Sequence, residues 1–333
     1  MSHSAVCGGR GCARPGFTLT ELLVAVTILS MLAAMVWGAL IVSRLAAREA
    51  ATRATIAKLH NIIMAKYESY RTRRIPIDTT GATPLQAAQA RLLALRDIMR
   101  MEMPERWSDI QNGPLYVPNA PSTYLAYRAR CIAGNKLLIP SHPNAPSECL
   151  YLIITMACGE DARRQLRPAE VADTDGDGFP EIVDGWGRPI YFLRWAPGFN
   201  DSDLQPNVVL QAELEATLPG HEEEVWTSAN VLTRRQAAAQ EDHDPFDPRR
   251  IDLSANPSSA DDPPRGWRLV PLIYSAGADG KYGLSLDPQT GPYTWTGLPV
   301  RKSHYAMGWG LPTRKDGSWV HYDNIHNHRL EAR

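Results

Sequence analysis

The chain has 333 residues and nearly balanced charges, with 35 lysines and arginines against 36 aspartates and glutamates. This balance gives no electrostatic argument for a nucleic-acid partner. The hydrophobic fraction of 44% is typical of a globular protein with room for one sizeable core.

Residues 1–16 form a glycine-rich, basic segment with nothing to fold around, which predicts a cytoplasmic leader. A run without any charge follows from Leu22 to Val42, about 21 residues. At a rise of about 1.5 Å per residue this run spans roughly 30 Å, the thickness of a bilayer's hydrocarbon core, so it predicts a membrane-spanning helix. Glu21 lies at the head of the run. Because an unpaired carboxylate in lipid costs several kcal/mol, we expect Glu21 to have a partner and a function.

The residues at the start of this run resemble a known processing motif. The segment Gly16-Phe-Thr-Leu-Thr-Glu-Leu-Leu-Val-Ala is similar to the prepilin cleavage and methylation motif of type IV pilins and type II secretion pseudopilins. The resemblance implies that a prepilin peptidase cuts between Gly16 and Phe17 and methylates the new N-terminal Phe17. The α-amino group of Phe17 is cationic below a pKa of about 7.7–8.0. We therefore expect it to neutralise Glu21, one helical turn away, within one subunit or between neighbours, and to give Glu21 a role in assembly.

The alternative to a prepilin motif is a secretory signal peptide or a plain membrane anchor. A signal peptide has an apolar core of about 7–15 residues with its cleavage site after that core. Here the apolar run is longer than such a core, and the Gly-Phe junction precedes it. The prepilin interpretation is therefore favoured.

Helical spacing continues beyond the apolar run without a glycine or proline as far as Pro76. It predicts one helix with a transmembrane half, residues 17–42, and an amphipathic stem, residues 43–75. The cations of the stem are Arg44, Arg48, Arg53, Lys58, Lys66, Arg71, Arg73 and Arg74. Exporting them conflicts with the positive-inside rule, and we accept this conflict because the N-terminal motif is more specific than a charge count. We expect the basic face to meet acidic partners or neighbouring subunits.

Residues 76–333 are expected to form a periplasmic head that begins with a helical insertion, residues 76–170. Apolar residues spaced three and four apart predict a helix over about 83–107. Weaker helical patterns cover residues 124–138 and 147–158, and the second of these is apolar nearly all round, which predicts burial.

Three cysteines lie in this insertion, and export would permit a disulfide among them. Cys149 and Cys158 lie nine residues apart in a predicted helix and thus on different faces. Cys131 paired with one of them is the better assignment. Three buried free thiols are the alternative.

Residues 171–199 contain a pattern typical of a calcium loop. Its acidic residues, at loop positions 1, 3, 5, 9 and 12, are Asp173, Asp175, Asp177, Glu181 and Asp184. Calcium takes six to eight oxygen ligands, so carboxylates clustered on a tight glycine turn suit it. Aspartate at position 12 reaches less far than the usual glutamate, and a strand is predicted to follow, so we expect no EF-hand around the loop. A solvated turn is the alternative.

Two further segments resemble the major pseudopilin of type II secretion. The segment Asp184-Gly-Trp-Gly-Arg-Pro-Ile-Tyr-Phe is similar to that family's Asp-Pro-Trp-Gly-x-Pro-Tyr segment. The segment Ser275-Ala-Gly-Ala-Asp-Gly-Lys is similar to its Ser-x-Gly-Ala-Asp-Gly loop. Each segment lies beside a predicted strand, residues 190–195 and residues 268–274.

The resemblance implies that the second of these loops also binds calcium, through an aspartate and backbone carbonyl oxygens. Asp279 is the candidate ligand by position. Asp287 is a further candidate, although the family's downstream acidic residue does not align cleanly with it. A turn built on glycines without a metal is the alternative.

The remaining segments carry weaker signals. Residues 200–265 are acidic and poor in aromatic residues, which predicts a long surface insertion that is partly disordered. Residues 266–333 are expected to hold a strand, a loop and a loop-rich tail. In that tail His321, His326 and His328 offer imidazoles to a transition metal, although histidines in a polar tail are more often solvated.

Together these features predict an α+β, pilin-like fold: a long N-terminal transmembrane helix packed on a small antiparallel sheet, with extra helices and a long acidic loop. We expect a structural subunit rather than an enzyme, single-pass in the inner membrane with a periplasmic C-terminal domain and Ca²⁺ as its ligand. It would assemble with itself and other pseudopilins, on an inner-membrane secretion platform, into a pseudopilus for type II secretion. The alternatives are a type IV pilin or minor pilin of a surface fibre, and a membrane-anchored calcium-dependent binding module that does not assemble.

Overall fold

The computed structural model describes residues 18–134, 143–196, 244–249, 251, 270–282, 314–315, 318–319 and 324–328. The chain divides into two compact units, residues 1–47 and residues 48–333. One long apolar helix is accompanied by shorter helices and by small antiparallel sheets, so the predicted α+β class is confirmed.

Helix α1 extends from Leu19 to Ser69 and ends in a 3-10 turn, Tyr70–Thr72. It matches the single helix predicted from the sequence, because no proline interrupts it. Among the described residues, α1 is the one helix long and apolar enough to cross a membrane. In the first unit all of its described side chains are exposed, including Leu29 and Trp37, as expected of a surface that lipid would cover.

Five shorter helices follow in the described part of the second unit. They are α2 (Pro84–Glu102), α3 (Trp107–Gln111), α4 (Ser122–Ala133), α5 (Ala145–Leu152) and α6 (Glu160–Arg164). Helix α5 continues as a π-helix, Ile153–Ala157. Helix α2 ends at Glu102, before the predicted residue 107, because Pro104 disfavours helical backbone at the residue that precedes it.

The described strands pair into three small antiparallel sheets. They are β1 (Val171–Ala172) with β2 (Glu181–Ile182), then β3 (Tyr191–Ala196) with β4 (Val270–Ser275) and β7 (Ile325–His326), and β5 (Arg314–Lys315) with β6 (Ser318–Trp319). In the three-stranded sheet β4 is central, with Phe192 opposite Ile273 on one side and Ile325 opposite Ser275 on the other. Strands β3 and β4 confirm the two strands predicted from the sequence.

The core of the second unit forms on one face of α1. Ile56, Leu59, Ile63 and Tyr67 are spaced three or four residues apart, and their exposed fractions are 2% or less. The residues that pack with them from other elements include Leu95, Met99, Leu150, Ile154, Phe192 and Ile273. Fully burying one such side chain contributes about 1.5–3 kcal/mol, so this face fixes the stem to the sheet.

Part of the predicted acidic surface insertion is buried instead. Asp244 is buried and accepts a hydrogen bond from the Arg96 guanidinium at 2.7 Å. Phe246 packs edge-on against Tyr67 with ring centroids 5.0 Å apart. The surface prediction is therefore wrong for this piece, because a buried arginine on α2 supplies the partner that its aspartate needs. Apart from residues 244–249 and 251, the stretch lies outside the described residues.

The three cysteines of the head have free thiols. Cys131 and Cys149 are buried in one cluster with Trp107 and Tyr127, whereas Cys158 packs against the main core. This separation matches the prediction that Cys149 and Cys158 lie on different faces. The favoured Cys131 disulfide is absent from the structure, and the free thiols match the alternative except that Cys158 is only partly buried. Of the two predicted pairings, only Cys131 with Cys149 falls within one cluster.

Candidate functional sites

The first candidate site is the start of α1. The Thr18 N–H and hydroxyl donate to the Glu21 carboxylate at 2.9 and 2.8 Å, and the Glu21 N–H donates back to the Thr18 hydroxyl at 3.3 Å. This reciprocal pair is a capping box, which satisfies donors at the head of a helix. Thr-Leu-Thr-Glu carries that signature, and our sequence reasoning on Glu21 overlooked it. Gly16 and Phe17 lie outside the described residues, so cleavage and the amine partner of Glu21 stay predictions.

Acids of the same chain neutralise much of the basic stem. Lys58 donates to Glu170, at the end of a 3-10 turn before β1, over 2.5 Å. Lys66 donates to Glu102 over 2.7 Å, and Arg73 forms a two-pronged ion pair with the same carboxylate. We expected the basic face to meet acidic partners or neighbouring subunits, and at these three cations the acidic partner lies in the same chain. The stem is therefore bound to its own head by charge as well as by apolar contact.

The ionisation of these two acids reflects the same contacts. Burial by itself raises the pKa of Glu170, but the hydrogen bonds from Arg167 and Lys58 outweigh it and lower the pKa to about 2. Burial likewise opposes ionisation of Glu102, and the bonds from Lys66 and Arg73 leave its pKa below the ordinary value. Both acids are carboxylates at neutral pH.

The second candidate site is the first acidic loop, between β1 and β2. Asp173 accepts the N–H groups of Gly176, Asp177 and Gly178 at 2.7, 3.1 and 3.0 Å. Gly176 and Gly178 have φ of +76° and +87°, which side chains other than glycine rarely adopt. The Asp173 carboxylate therefore holds the backbone of the loop in its turn conformation.

Two other aspartates of this loop meet a buried glutamate from α5. Ligand oxygens of Glu148, Asp175 and Asp177 all lie within 4.8 Å of one another, and Glu148 is fully buried. Our sequence reasoning missed Glu148, which lies on another element. The available signal was a charge inside an apolar helix, because a buried carboxylate needs a compensating partner.

Glu181 also faces this loop, and an amide lies beside it. Its carboxylate accepts the Thr174 N–H at 2.8 Å and the Asn144 amide at 3.1 Å, and the same amide donates to Asp175 at 3.0 Å. Burial raises the pKa of Glu181, and the Asp175 charge adds to that rise. Asn144 therefore connects two of the predicted ligands.

Asp184, the last of the predicted loop ligands, makes its contacts outside the first acidic loop. Its carboxylate accepts the N–H groups of Trp186 and Arg188 at 2.8 and 3.0 Å and the Ser275 hydroxyl at 2.5 Å. It therefore joins the Trp-Gly-Arg-Pro turn to the Ser-Ala-Gly-Ala-Asp-Gly loop. These are the two segments for which the sequence showed a common resemblance, and the structure brings them into contact.

In the second acidic loop, Asp279 accepts the Lys281 N–H at 2.7 Å, and the Lys281 ammonium lies 3.8 Å from its other oxygen. Arg188 donates to the Gly277 carbonyl at 2.9 Å. Asp287 lies outside the described residues, so its role as a ligand stays a prediction.

Two histidines of the predicted tail, His326 and His328, are buried rather than solvated. His326 belongs to β7, and the His328 imidazole donates to the Pro271 carbonyl over 3.1 Å. The expectation of solvated histidines is wrong here, because strand pairing with β4 draws this segment into the protein. Among the described residues, the one group of three potential metal ligands is the carboxylate group around Glu148, without a histidine. His321 lies outside the described residues.

Residues 13–37 match a family model described as the prokaryotic N-terminal methylation motif. The match covers Gly16, Phe17 and Glu21 and the first part of α1. No curated protein and no solved structure matches the chain. The chain therefore carries a pilin-type N-terminal signal at the head of a membrane-capable helix, which supports processing by a prepilin peptidase and membrane assembly with pilin-type subunits.

Proposed function

We propose that the protein is a pseudopilin, a structural subunit that leaves the inner membrane and stacks with itself and other pseudopilins into a periplasmic pseudopilus for type II secretion. The observation that carries this proposal is the methylation motif, which ends in the uninterrupted apolar helix α1. Its partners are a prepilin peptidase, the other subunits and an inner-membrane secretion platform. Its work is mechanical rather than catalytic.

The contact between the two resembling segments favours a pseudopilin over a type IV pilin. Asp184 and Ser275 hydrogen bond directly, and Arg188 adds a second link to the same loop. The two segments thus form one structural unit, which gives a physical reason for both to occur in this chain. A pilin or minor pilin of a surface fibre shares the N-terminal motif without this pair.

Processing is tested by the intact mass of protein extracted from membranes. We expect the mature chain to begin with N-methylated Phe17. A Gly16→Leu variant should retain the leader, because a bulky side chain replaces the glycine at the cleaved bond. Wild-type protein that keeps residues 1–16, or that begins beyond Val36, would contradict the proposal.

Assembly is tested at Glu21. Glu21→Gln keeps the shape of the side chain and removes the charge that the Phe17 amine would neutralise, so crosslinked ladders of subunits should weaken while membrane insertion persists. Glu49→Gln is the matched control, because Glu49 forms an exposed ion pair with Arg53 on the same helix. Ladders that stay intact in Glu21→Gln would count against the assembly role. Processed protein that never forms ladders would favour a membrane-anchored binding module.

We also propose that Ca²⁺ binds the first acidic loop. The support is the convergence of Glu148, Asp175 and Asp177, whose carboxylate oxygens lie within 4.8 Å of one another and whose negative charges attract a divalent cation. Oxygen ligands of this kind suit calcium. A ligand that binds only the folded state stabilises it by about 2.7 kcal/mol at a hundredfold excess over Kd.

Thermal unfolding with calcium and with chelator tests this site. We expect calcium to raise the Tm of the full chain in detergent, and Glu148→Gln to abolish that rise. Glu160→Gln is the control, since Glu160 is an exposed acid on α6. Equal melting in both conditions, with no heat of calcium binding in calorimetry, would leave the loop as a solvated turn.

A further inference from the structure

The side chain of Arg188 lies in a cradle formed by the backbone of the second acidic loop, between Gly277 and Gly280. Arg188 Nη1 donates to the Gly277 carbonyl at 2.9 Å and lies 3.5 Å from the Ala278 carbonyl. The guanidinium also covers Gly280, because a Cβ on that glycine would lie 2.7 Å from the arginine's Cζ. The backbone oxygens and the open face of the glycine thus meet a positive charge supplied by the protein itself.

The backbone that carries this arginine is fixed on the same loop. The Asp184 N–H donates to the Arg188 carbonyl at 2.8 Å, and the Asp184 carboxylate accepts the Arg188 N–H at 3.0 Å. The same carboxylate accepts the Ser275 hydroxyl, whose oxygen accepts the Gly277 N–H at 3.2 Å. Residue 188 is therefore held from both sides before its side chain reaches the loop.

The described part of the loop, as far as residue 282, does not fit the calcium ion that its resemblance implies. Calcium needs six to eight oxygens at about 2.3–2.6 Å. The Gly277 oxygen already accepts from the guanidinium, and Asp279 already has the Lys281 ammonium beside it. A divalent ion on these oxygens would lie next to two cationic side chains, and the mutual repulsion opposes binding.

We infer that Arg188 closes the Asp279 loop in place of calcium, so that the guanidinium is the permanent cation of this site. Because the guanidinium is part of the chain itself, the link between the two segments is independent of calcium concentration. The inference does not rest on calcium binding at the first loop. It assigns Arg188 as the residue that positions the turn after β4 against the turn before β3.

Calcium titration of the full chain in detergent, followed by calorimetry, is the first test. We expect Asp279→Asn to leave the stoichiometry and affinity of calcium binding unchanged, and Asp175→Ala to abolish binding. Loss of one bound calcium, or a more than threefold weaker affinity, in Asp279→Asn would overturn the inference. If wild-type protein binds no calcium at all, the first-loop proposal fails and this one stands.

Melting of an arginine variant is the second test. Arg188→Ala should lower the Tm by about 5 °C, equally in calcium and in chelator, since a charged hydrogen-bond donor is lost. Low millimolar methylguanidinium should restore part of the loss, because it can refill the cradle. Arg163→Ala, which removes an exposed arginine on α6, should do neither. An unchanged Tm, or a loss that appears only with chelator, would overturn the inference.

A lysine variant keeps the test decisive if Arg188→Ala fails to fold. Arg188→Lys retains the charge but loses the planar donors, so we expect a smaller drop in Tm than for alanine. Calcium should not reverse that drop. Reversal by calcium would mean that the loop prefers a metal ion, and it would overturn the inference.

Discussion

The two halves of helix α1 show how one uninterrupted helix is stabilised in two different ways. Before residue 48 every described side chain is exposed, and from Leu22 to Val42 the helix carries no charge. After residue 48 the same helix buries Ile56, Leu59 and Ile63 and pairs its lysines with acids of the head. The first half depends on lipid or neighbouring subunits for partners, whereas the second half is supplied by its own chain.

The largest expected effect is a cavity in the second half. Ile63→Ala should lower the free energy of unfolding of the head by about 2–5 kcal/mol, because Ile63 is fully buried in the main core. Denaturant unfolding, followed by tryptophan fluorescence, measures it. The matched change in the first half, Leu29→Ala, should leave this value within about 0.5 kcal/mol. Equal losses in both variants would break the comparison.

The next effect comes from the acid that two stem cations share. Glu102→Gln should cost about 2–3 kcal/mol, because it leaves Lys66 and Arg73 without their carboxylate in a half-buried setting. Urea unfolding in low salt measures the difference. Glu68→Gln, which breaks only the exposed pair with Arg71, should cost less than about 1 kcal/mol. A Glu102 variant as stable as this control would show that the stem is held by apolar contact alone.

A third effect is a loss of stability as pH falls. It arises from the segment around His328, whose neighbour Asn327 contacts His60 of the stem. Burial, aided by His326, lowers the pKa of His328 from 6.5 to about 3. The unfolded chain therefore takes up this proton first, and stability is lost as pH falls from about 6.5 towards 3, by about 2 kcal/mol at pH 5. Burial lowers the pKa of His60 and gives the same sign. Below pH 4.5, Glu170 adds a further loss, since its folded pKa is about 2.

Thermal unfolding at pH 7.5 and at pH 5 measures this dependence. His328→Gln cannot take up the proton and should flatten the fall in Tm between these two values. Glu170→Gln should leave that interval unchanged and alter only the fall below pH 4.5. Identical pH profiles for wild type and His328→Gln would assign the loss to other groups.

The smallest effect is a single hydrogen bond. The buried Thr52 hydroxyl accepts the Gly185 N–H at 2.9 Å. Thr52→Val leaves that N–H without its acceptor and should lower the free energy of unfolding by about 1 kcal/mol. Thr27→Val is the counterpart in the first half, where the hydroxyl bonds only to the Val24 carbonyl of its own helix. It should not change the stability of the head. A loss from Thr27→Val equal to that from Thr52→Val would contradict the contrast between the halves.

The features that could be predicted from the sequence depend on near neighbours. The apolar run, the spacing of the buried residues of α1 and strands β3 and β4 follow from local periodicity. The capping boxes at Thr18 and Thr83 were also readable, because each pairs residues three positions apart. For the candidate sites, the spacing of acidic residues identified Asp175 and Asp177. It also grouped them with Asp173 and Asp184, whose carboxylates accept other hydrogen bonds in the structure.

The features that could not be predicted depend on partners far along the chain. Glu148 reaches the first acidic loop from helix α5, and Arg188 reaches the second from the turn before β3. Asp244 can be buried because it pairs with Arg96, 148 residues away in sequence. Charge patterns indicated that such residues needed partners, but only the packing of helices and strands selects which oxygen meets which cation.

The position of Asn327 sets the order in which the head can be completed. Its side chain accepts the Ile273 N–H and donates to the Pro271 carbonyl, and its amide lies 3.0 Å from His60, 267 residues earlier. Until residue 327 has been synthesised, β4 lacks its pairing with β7 and the stem lacks this contact. Contacts over such separations slow folding, and an open strand edge invites pairing with other chains. The edge of β4 that β7 covers is therefore open to such pairing until β7 is complete.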